Sequence, residues 1–340
     1  MHSKLLLKIA HLGISGDLLG WINSYLTDRQ QCTVINGICF PFRPVLSGVP
    51  QGSVLGPLFF IIFMNDLPIF LKSKFSSRHP SLKLFADDLK TYYIVNSLYD
   101  ALYFQSFLNS IYDWCVQWQL SLNVAKCELL HLGKSNFLFN YGLNGLLLPS
   151  PTRARDLGVL IDSSLNFTDH ISSIVSKARS HCSVFLKSFV SPDIHIMKKF
   201  FVIYVRPILE NASEVWNPIS QKDINSLENV QRYFSNKIPS CSFLPYWQRL
   251  ALLFLDSLQH RRATSDITCI YSLITGGLNA VLTPYLVHIP PSITRGHHLK
   301  ICPPSLHYSH SDQNYYLQNG CLMEFPPPLS FGFYKQIFFS

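Results

Sequence analysis

The sequence predicts an α+β fold, and three patterns support this prediction. Apolar residues alternate before Ala86, and residues that favour strands follow at Thr91–Val95. Two strands are therefore expected, one on each side of the pair Asp87-Asp88. Asn36-Gly37 lies between two further β-rich runs and is typical of a tight hairpin turn. From Asn166 onwards, apolar residues recur at helical spacing. We therefore expect small antiparallel sheets in the first half of the chain and helices in the second.

Length and composition bound the class of protein. The 340 residues carry a net charge of +8 and are enough for one large or two smaller domains. A basic balance suits contact with phosphate backbones, although an ordinary basic protein has the same balance. The nine cysteines include no pair with CxxC spacing, so neither a disulfide framework nor a zinc ribbon is expected. We expect reduced thiols in an intracellular protein, nuclear or cytoplasmic, since the start resembles no secretory signal.

Two helices and a hairpin are predicted at the start of the chain. The first helix is capped by Ser3 and the second begins at Asp17. The hairpin strands are expected at Gln31–Ile35 and Ile38–Val45. The apolar run Val54–Met64 that follows is too short to span a bilayer. We therefore predict a buried helix there and no membrane partner.

A long helix and three strands are predicted after the Asp-Asp hairpin. The helix runs from Tyr99 through Leu120, with an apolar stripe of Leu102, Phe104, Phe107, Leu108, Ile111, Trp114, Cys115 and Trp118. The strands are expected at Leu129–Leu132, Phe137–Tyr141 and Leu146–Leu148. In the second half, one helix is indicated by Ile171, Ile174, Val175, Ala178 and Cys182.

The pair Asp87-Asp88 is the strongest candidate for chemistry from the residues alone. Asp is poor in strands and good in turns, so the pair is expected at the hairpin tip. Two adjacent carboxylates repel each other, and a divalent cation such as Mg²⁺ relieves that repulsion with the hard oxygen ligands it prefers. Taken by itself, the pair is better explained as a solvated turn.

A block earlier in the chain favours the first interpretation. Residues 47–57 read Ser-Gly-Val-Pro-Gln-Gly-Ser-Val-Leu-Gly-Pro, and Phe85-Ala86-Asp87-Asp88 follows. This combination resembles the reverse transcriptase of non-LTR retrotransposons, and is most similar to the jockey type. Residues 118–127 and 156–162 resemble further blocks of the same family. The resemblance extends over nearly the whole chain.

The resemblance implies a domain organisation. Residues 1–165 correspond to part of the fingers and palm, an antiparallel sheet with packed helices. Residues 166–290 correspond to an α-helical thumb and its continuation, and residues 291–340 to a divergent, poorly ordered tail. The implied partners are an RNA template, a DNA primer and deoxynucleotide triphosphates, and the oligomeric state is left open.

The resemblance also implies roles for particular residues. The catalytic and metal-binding residues are Asp87 and Asp88, which hold two Mg²⁺ ions together with a third carboxylate in the intact family and are expected to hold Mg²⁺ weakly or in part here. The residues that line the substrate site are Ser47, Gly48, Pro50, Gln51, Gly52, Phe85, Ala86 and Lys126. The primer grip is formed by Leu157 and Gly158.

One part of the family's metal site has no counterpart in this sequence. The family uses a third aspartate on a strand that precedes the segment resembling Met1–Leu12. We therefore expect the isolated chain to be inactive, because an unanchored ion costs several powers of ten in rate. The alternatives are a non-catalytic nucleic-acid-binding remnant and a decayed retrotransposon copy.

Two other groups of residues are left open by the sequence. Arg232, Arg249, Arg261 and Arg262 could contact duplex phosphates or simply be solvated. The histidine- and cysteine-containing stretch 297–310 matches no zinc spacing.

Overall fold

The computed structural model describes residues 2–75, 79–133, 136–189 and 193–275, with the backbone of three short strands beyond them. These residues form two compact units. The N-terminal unit contains Met1–Asp156, Asp162–Ser164 and the last strand. The helical unit contains Leu157–Ile161 and the helices that follow Leu165. The assignment of residues 1–165, 166–290 and 291–340 to palm, thumb and tail stays a prediction.

The fold is α+β, as the sequence predicts. The helices are α1 (His2–His11), α2 (Gly16–Leu26), α3 (Leu55–Met64), α4 (Leu67–Lys74), α5 (Leu98–Trp118), α6 (Thr168–Ser188), α7 (Ile194–Phe200), α8 (Arg206–Glu210), α9 (Ser213–Trp216), α10 (Gln221–Asn236), α11 (Tyr246–Leu253) and α12 (Leu258–Ile274). A 3₁₀ turn lies at Val124–Lys126, and a π-helical segment lies at Phe201–Val205.

The strands are short, and each pair of strands with a described register is antiparallel. They are β1 (Gln30–Gln31), β2 (Val34–Ile35), β3 (Ile38–Cys39), β4 (Arg43–Pro44), β5 (Ser81–Phe85), β6 (Asp88–Ile94), β7 (Glu128–His131), β8 (Gly142–Leu143), β9 (Leu146–Leu147), β10 (Arg153–Asp156), β11 (Val159–Asp162), β12 (Val287–His288), β13 (Ile301–Cys302) and β14 (Tyr334–Phe339).

The largest described sheet has the order β5-β6-β14-β7. Strand β14 therefore takes an inner position, where Ile337 pairs with Thr91 on one side and Leu129 on the other. The predicted Asn36-Gly37 turn is confirmed, with Ile35 opposite Ile38. The strands predicted at Gln31–Ile35 and Ile38–Val45 are each interrupted, so that β2 pairs with β3 and β1 pairs with β4. Both turn residues have positive φ, 49° for Asn36 and 81° for Gly37. This is the type I′ geometry that matches the twist of the strands.

Helix α5 organises the core of the N-terminal unit. Ser97 caps it by accepting a hydrogen bond from the Asp100 amide, and Gln119 ends it in the left-handed conformation. Its predicted apolar stripe is confirmed for Phe104, Phe107, Leu108, Ile111, Trp114 and Cys115, which are all buried. Leu102 is 54% exposed, so it lies outside this stripe.

The apolar run Val54–Met64 forms helix α3, and helix α4 follows after two residues. By length and composition alone, Leu55–Lys74 could cross a membrane, a test that core helices also pass. One face of α3 is buried through Phe59, Phe63 and Met64, so the prediction of a buried helix holds for that face. Ile61 on the other face is 58% exposed. The run therefore contributes to the core of the unit.

The strand predicted at Phe137–Tyr141 does not form. These residues are irregular, and Leu138 has a φ of 49°, which interrupts an extended backbone. An apolar side chain in this segment packs into the core without a strand. The Tyr141 ring is fully buried, and its centroid lies 5.3 Å from that of Phe104. The flanking strands β7 and β9 are confirmed within one residue at each end.

The helical unit is built on α6, whose predicted helical spacing is confirmed. Ile171, Val175, Ala178 and Cys182 are buried along one face of α6. Helix α10 packs against α6 and contributes Leu227, Val230 and Phe234. The spacing of these residues by three or four positions produces the apolar stripe that both helices bury.

Candidate active site

Asp87 and Asp88 lie at a tight hairpin between β5 and β6, as the sequence predicts. Phe85 pairs with Asp88, so the loop consists of Ala86 and Asp87 and Asp88 begins the second strand. Asp87 is exposed and Asp88 is half-buried. Ala86 has a φ of 52°, a conformation that glycine normally supplies at the first loop position of a type II′ turn. The tip therefore carries local strain of about 1 kcal/mol.

Alternation along β6 sets the direction of each side chain. Leu89 and Thr91 are buried, and the Thr91 hydroxyl donates to the Ser81 carbonyl at 2.9 Å. Side chains two residues apart share a face, so Asp88 and Lys90 lie together on the opposite, half-buried face. A carboxylate and an ammonium group are thereby presented side by side from one strand.

Three other charged groups act on the Asp88 carboxyl. Partial burial raises the pKa of Asp88, the negative charges of Asp87 and Asp156 raise it further, and the positive charge of Lys126 opposes them. Repulsion of this kind favours a proton or a cation at the site. The described structure therefore gathers Asp87, Asp88 and Asp156 into one negative region that Lys126 partly offsets.

Asp156 is the member of this group that sequence analysis missed. It ends β10, and its carboxylate forms an ion pair with the ammonium group of Lys90. The sequence separates the two residues by 66 positions. Only the packing of β10 beside β7 could reveal their proximity, because neither residue carries a local motif that predicts it.

Lys126 was predicted to lie in the substrate site. It lies in the 3₁₀ turn between α5 and β7, exposed to solvent, while the next residue, Cys127, is buried and fixes the turn. Its side chain is close enough to influence Asp88 electrostatically. Its role toward a substrate stays a prediction.

The loop that contains Ser47, Gly48, Pro50, Gln51 and Gly52 precedes α3. Gly48 and Gly52 have φ of 83° and 80°, in the left-handed region that favours glycine. The ring of His2 hydrogen-bonds the Gly48 carbonyl at 2.8 Å. Ser47, Gly48, Gln51 and Gly52 are exposed. The loop thus presents backbone and a glutamine side chain to solvent, and its substrate role stays a prediction.

The end of this loop is anchored to α3 by Ser53. The Ser53 hydroxyl donates to the Pro50 carbonyl at 2.7 Å and accepts from the Gly56 amide at 3.0 Å. A Cβ atom at Gly56 would lie 3.0 Å from the Pro50 carbonyl oxygen. Any side chain at Gly56 would therefore push the loop away from the helix.

The predicted primer-grip residues Leu157 and Gly158 form the turn between β10 and β11. Their φ values are 45° and 90°, and Leu157 is 53% exposed. The turn directly follows Asp156, the last residue of β10. Its contact with a primer stays a prediction.

The chemistry of the donor set fits a hard cation only in part. Asp87 and Asp88 supply carboxylate oxygens, and the raised pKa of Asp88 marks a local excess of negative charge. Among the described residues, no group of three or more His, Cys, Asp and Glu side chains is arranged to hold a metal ion. The histidines between positions 297 and 310 lie outside the described residues.

The four arginines proposed for phosphate contact have different surroundings. Arg249 and Arg262 are 8% and 2% exposed, and Arg261 forms a two-point ion pair with Glu210 at 2.5 and 3.0 Å. The sequence left open whether these arginines contact phosphates or are solvated, and burial of Arg249 and Arg262 fits neither description. Arg232 is exposed, with its guanidinium 5.0 Å from the centre of the Tyr246 ring.

Comparison with known proteins identifies a family that residues 1–167 match. Residues 1–167 match the family described as reverse transcriptase (RNA-dependent DNA polymerase). These residues include the Ser47–Pro57 block, the Asp87-Asp88 hairpin and Asp156. The chain therefore contains a reverse transcriptase domain.

More particularly, the chain is homologous to the RNA-directed DNA polymerases of jockey and other non-LTR transposons. It is 28% identical over 269 residues to the probable RNA-directed DNA polymerase from transposon BS of Drosophila melanogaster, covering 76% of this chain and 29% of that protein. It is 28% identical over 259 residues to the RNA-directed DNA polymerase from mobile element jockey of Drosophila funebris, covering 73% of this chain and 27% of that protein. For the probable polymerase from transposon X-element of Drosophila melanogaster, the values are 25% over 250 residues, 71% and 27%. The chain thus spans less than a third of the length of these relatives.

Proposed function

We propose that this chain is part of an RNA-directed DNA polymerase that adds deoxynucleotides to a primer 3′ end on an RNA template. The observation that supports this proposal is the strained Asp87-Asp88 hairpin, with the pKa of Asp88 raised by burial and by its acidic neighbours. The similarity of residues 1–167 to reverse transcriptases supports the same proposal.

In this proposal Asp87 and Asp88 hold Mg²⁺. When bound, the metal supplies the positive charge that stabilises the transferring phosphoryl group. Lys90 pairs with Asp156 beside these two aspartates, which offsets part of the negative charge that Asp156 places near Asp88. Lys126 contributes the positive charge that faces the triphosphate.

The Ser47–Gly52 loop contacts the nucleotide in the same proposal. Its two left-handed glycines let the backbone approach a flat base pair closely, and Gln51 lines the pocket. Ser53 keeps the loop in position through its bonds to Pro50 and Gly56. Leu157 and Gly158 approach the primer end.

We further propose that the chain alone does not extend primers. Asp87 and Asp88 are two carboxylates, and Asp156 is already engaged by Lys90. A preorganised two-metal site needs more anchoring than this, and its loss costs several powers of ten in rate. A nucleic-acid-binding protein without catalysis is therefore the second candidate, favoured by the net charge of +8 and by the exposed Arg232.

Primer extension on an RNA template with Mg²⁺ tests both candidates. The wild-type chain is compared with the double variant Asp87→Ala, Asp88→Ala, and with Asp113→Asn as a control for a lone exposed carboxylate of α5. We expect no extension by any of them, and salt-sensitive binding of an RNA–DNA duplex by all three. Extension that only the double variant loses would contradict the proposed inactivity and support the catalytic assignment. Absence of duplex binding in folded protein would contradict the polymerase proposal.

A further inference from the structure

A second chemical feature lies on the Asn36-Gly37 hairpin and does not depend on the proposed polymerase function. Val34 pairs with Cys39 across this hairpin. The amide of Phe40 donates to the Thr33 carbonyl at 2.9 Å, which extends the pairing by one residue. Cys32 and Val34 are two residues apart and share a face. Cys32 and Cys39 are therefore diagonal neighbours on one side of the hairpin.

The two thiols are in direct contact. The Sγ atoms of Cys32 and Cys39 are 3.0 Å apart, and both thiols are free. A disulfide bond has a length of about 2.05 Å, so the sulfurs need to approach by about 1 Å to form one. Cys39 is exposed and Cys32 is half-buried, so small reagents can reach the pair.

Other described cysteines differ from this pair in environment. Cys115, Cys127 and Cys182 are buried, and burial raises the pKa of these thiols to about 11, 12 and 12. The thiolate is the reactive form, so these three are inert at neutral pH. Cys241 is also buried, and Cys269 is half-buried. The hydrogen bond from Cys39 also raises the pKa of the Cys32 thiol, so exposure and proximity, and not a lowered pKa, distinguish this pair from the other described cysteines.

We propose that Cys32 and Cys39 form a reversible intramolecular disulfide, with a low-molecular-weight disulfide such as oxidised glutathione as the oxidant. The thiolate of one cysteine attacks the glutathione disulfide, which forms a mixed disulfide and releases one glutathione thiolate. The second cysteine thiolate attacks the protein sulfur of that mixed disulfide, which releases the second glutathione. Two protein thiols are oxidised, one glutathione disulfide is reduced to two thiols, and the two protons lost by the protein thiols are taken up by the two released glutathione thiolates.

The bond would fix a hairpin whose outer residues are exposed. Val34, Ile35 and Ile38 are 59%, 54% and 68% exposed, so little packing holds β2 and β3 beyond their backbone pairing. A covalent link between the strands restricts their separation. We expect slower amide exchange across the Asn36-Gly37 turn in the oxidised form, because opening of the hairpin is hindered.

Peptide mapping after oxidation tests the proposal. The full chain carries Cys302→Ser and Cys321→Ser, which leaves the seven cysteines whose side chains are described. It is incubated folded with oxidised glutathione and digested without reductant. We expect loss of two of the seven thiols and, after trypsin digestion, a single peptide that contains both Cys32 and Cys39 and is lighter by the mass of two hydrogen atoms.

Two variants separate proximity from general reactivity. Cys39→Ser removes the resolving thiol, so Cys32 is expected to retain one glutathione adduct and gain mass. Cys269→Ser is the matched control and is expected to form the same disulfide as the parent. Separate glutathione adducts on Cys32 and Cys39 of the parent, or two unmodified thiols in a chain with a folded circular-dichroism spectrum, would overturn the proposal.

Discussion

Asp88 in the N-terminal unit and Glu228 in the helical unit are both carboxylates near other charges, but their surroundings differ. Asp88 is half-buried, and its pKa is raised first by this burial and then by the negative charges of Asp87 and Asp156. Glu228 is 5% exposed and accepts hydrogen bonds from the Tyr246 hydroxyl and from the Leu258 and Gln259 amides, the last two at 3.3 and 3.2 Å. The first carboxylate is compensated only in part, by Lys126, and the second accepts three hydrogen bonds, which is the difference expected between a site for a ligand and a structural group.

The same contrast applies to the basic residues. In the helical unit, Arg261 is paired with Glu210, and Arg262 is buried with its Nε donating to Asn217 at 3.3 Å. In the N-terminal unit, Lys126 is exposed within reach of the Asp88 field. Basic residues in a sequence therefore indicate nucleic-acid contact only when the fold leaves them accessible.

The largest expected effect is on the compensated carboxylate. Glu228→Ala leaves the Tyr246 hydroxyl and two backbone amides of α12 without their acceptor, and should lower the free energy of unfolding by about 3 kcal/mol. Urea unfolding of the full chain measures this. Lys222→Ala, at an exposed position of α10, is the control and should change less than about 0.5 kcal/mol. A loss below about 1 kcal/mol for Glu228→Ala would show that the network is not structural.

Lys8 is an exception in the N-terminal unit, because it is charged, buried and fully partnered. Its Nζ donates to the Phe63 carbonyl at 2.5 Å and to Asp66 at 2.6 Å, and lies 3.7 Å from the centre of the Trp118 ring. Burial lowers the pKa of Lys8 despite the Asp66 partner. Lys8→Ala should cost about 2 kcal/mol in urea unfolding, since α1 loses both its ion pair and its ring contacts. A change within about 0.5 kcal/mol would contradict this role.

The strain at the hairpin tip gives a smaller effect of opposite sign. Ala86→Gly removes the cost of a φ of 52° and should raise the free energy of unfolding by about 0.5 kcal/mol after the greater flexibility of unfolded glycine is counted. Ala101→Gly, in the buried face of α5, is the matched control and should destabilise by about 1 kcal/mol or more. Destabilisation by both changes would mean that Ala86 is not strained.

The smallest effect concerns the repulsion at Asp88. Because its pKa is raised, its contribution to stability is present below the ordinary carboxyl pKa and is lost as the pH rises through the raised value. Asp88→Asn should therefore stabilise the protein by a few tenths of a kcal/mol near neutral pH and not at acid pH. Thermal unfolding across that pH range measures the difference. Destabilisation at neutral pH would contradict the proposed repulsion.

Local patterns account for most of what the sequence predicted. Asn36-Gly37 specifies its turn by backbone preference, and the stripe of α5 follows from helical periodicity. Asp156 beside Asp88 could not be predicted, because their proximity depends on long-range packing. The prediction of a strand at Phe137–Tyr141 was wrong because its apolar residues were interpreted as a strand pattern. Tyr141 is buried, but it lies in an irregular segment.

Thermal unfolding with and without Mg²⁺ tests the central claim, that the partly compensated hairpin carboxylates Asp87 and Asp88 bind a cation. We predict that Mg²⁺ raises the unfolding temperature of the wild-type chain and of Asp113→Asn, because a ligand that binds the folded state stabilises it. The response should disappear in Asp87→Asn, Asp88→Asn, and weaken as the pH falls and protons compete at Asp88. An equal Mg²⁺ response in the double variant and the wild type would contradict the account.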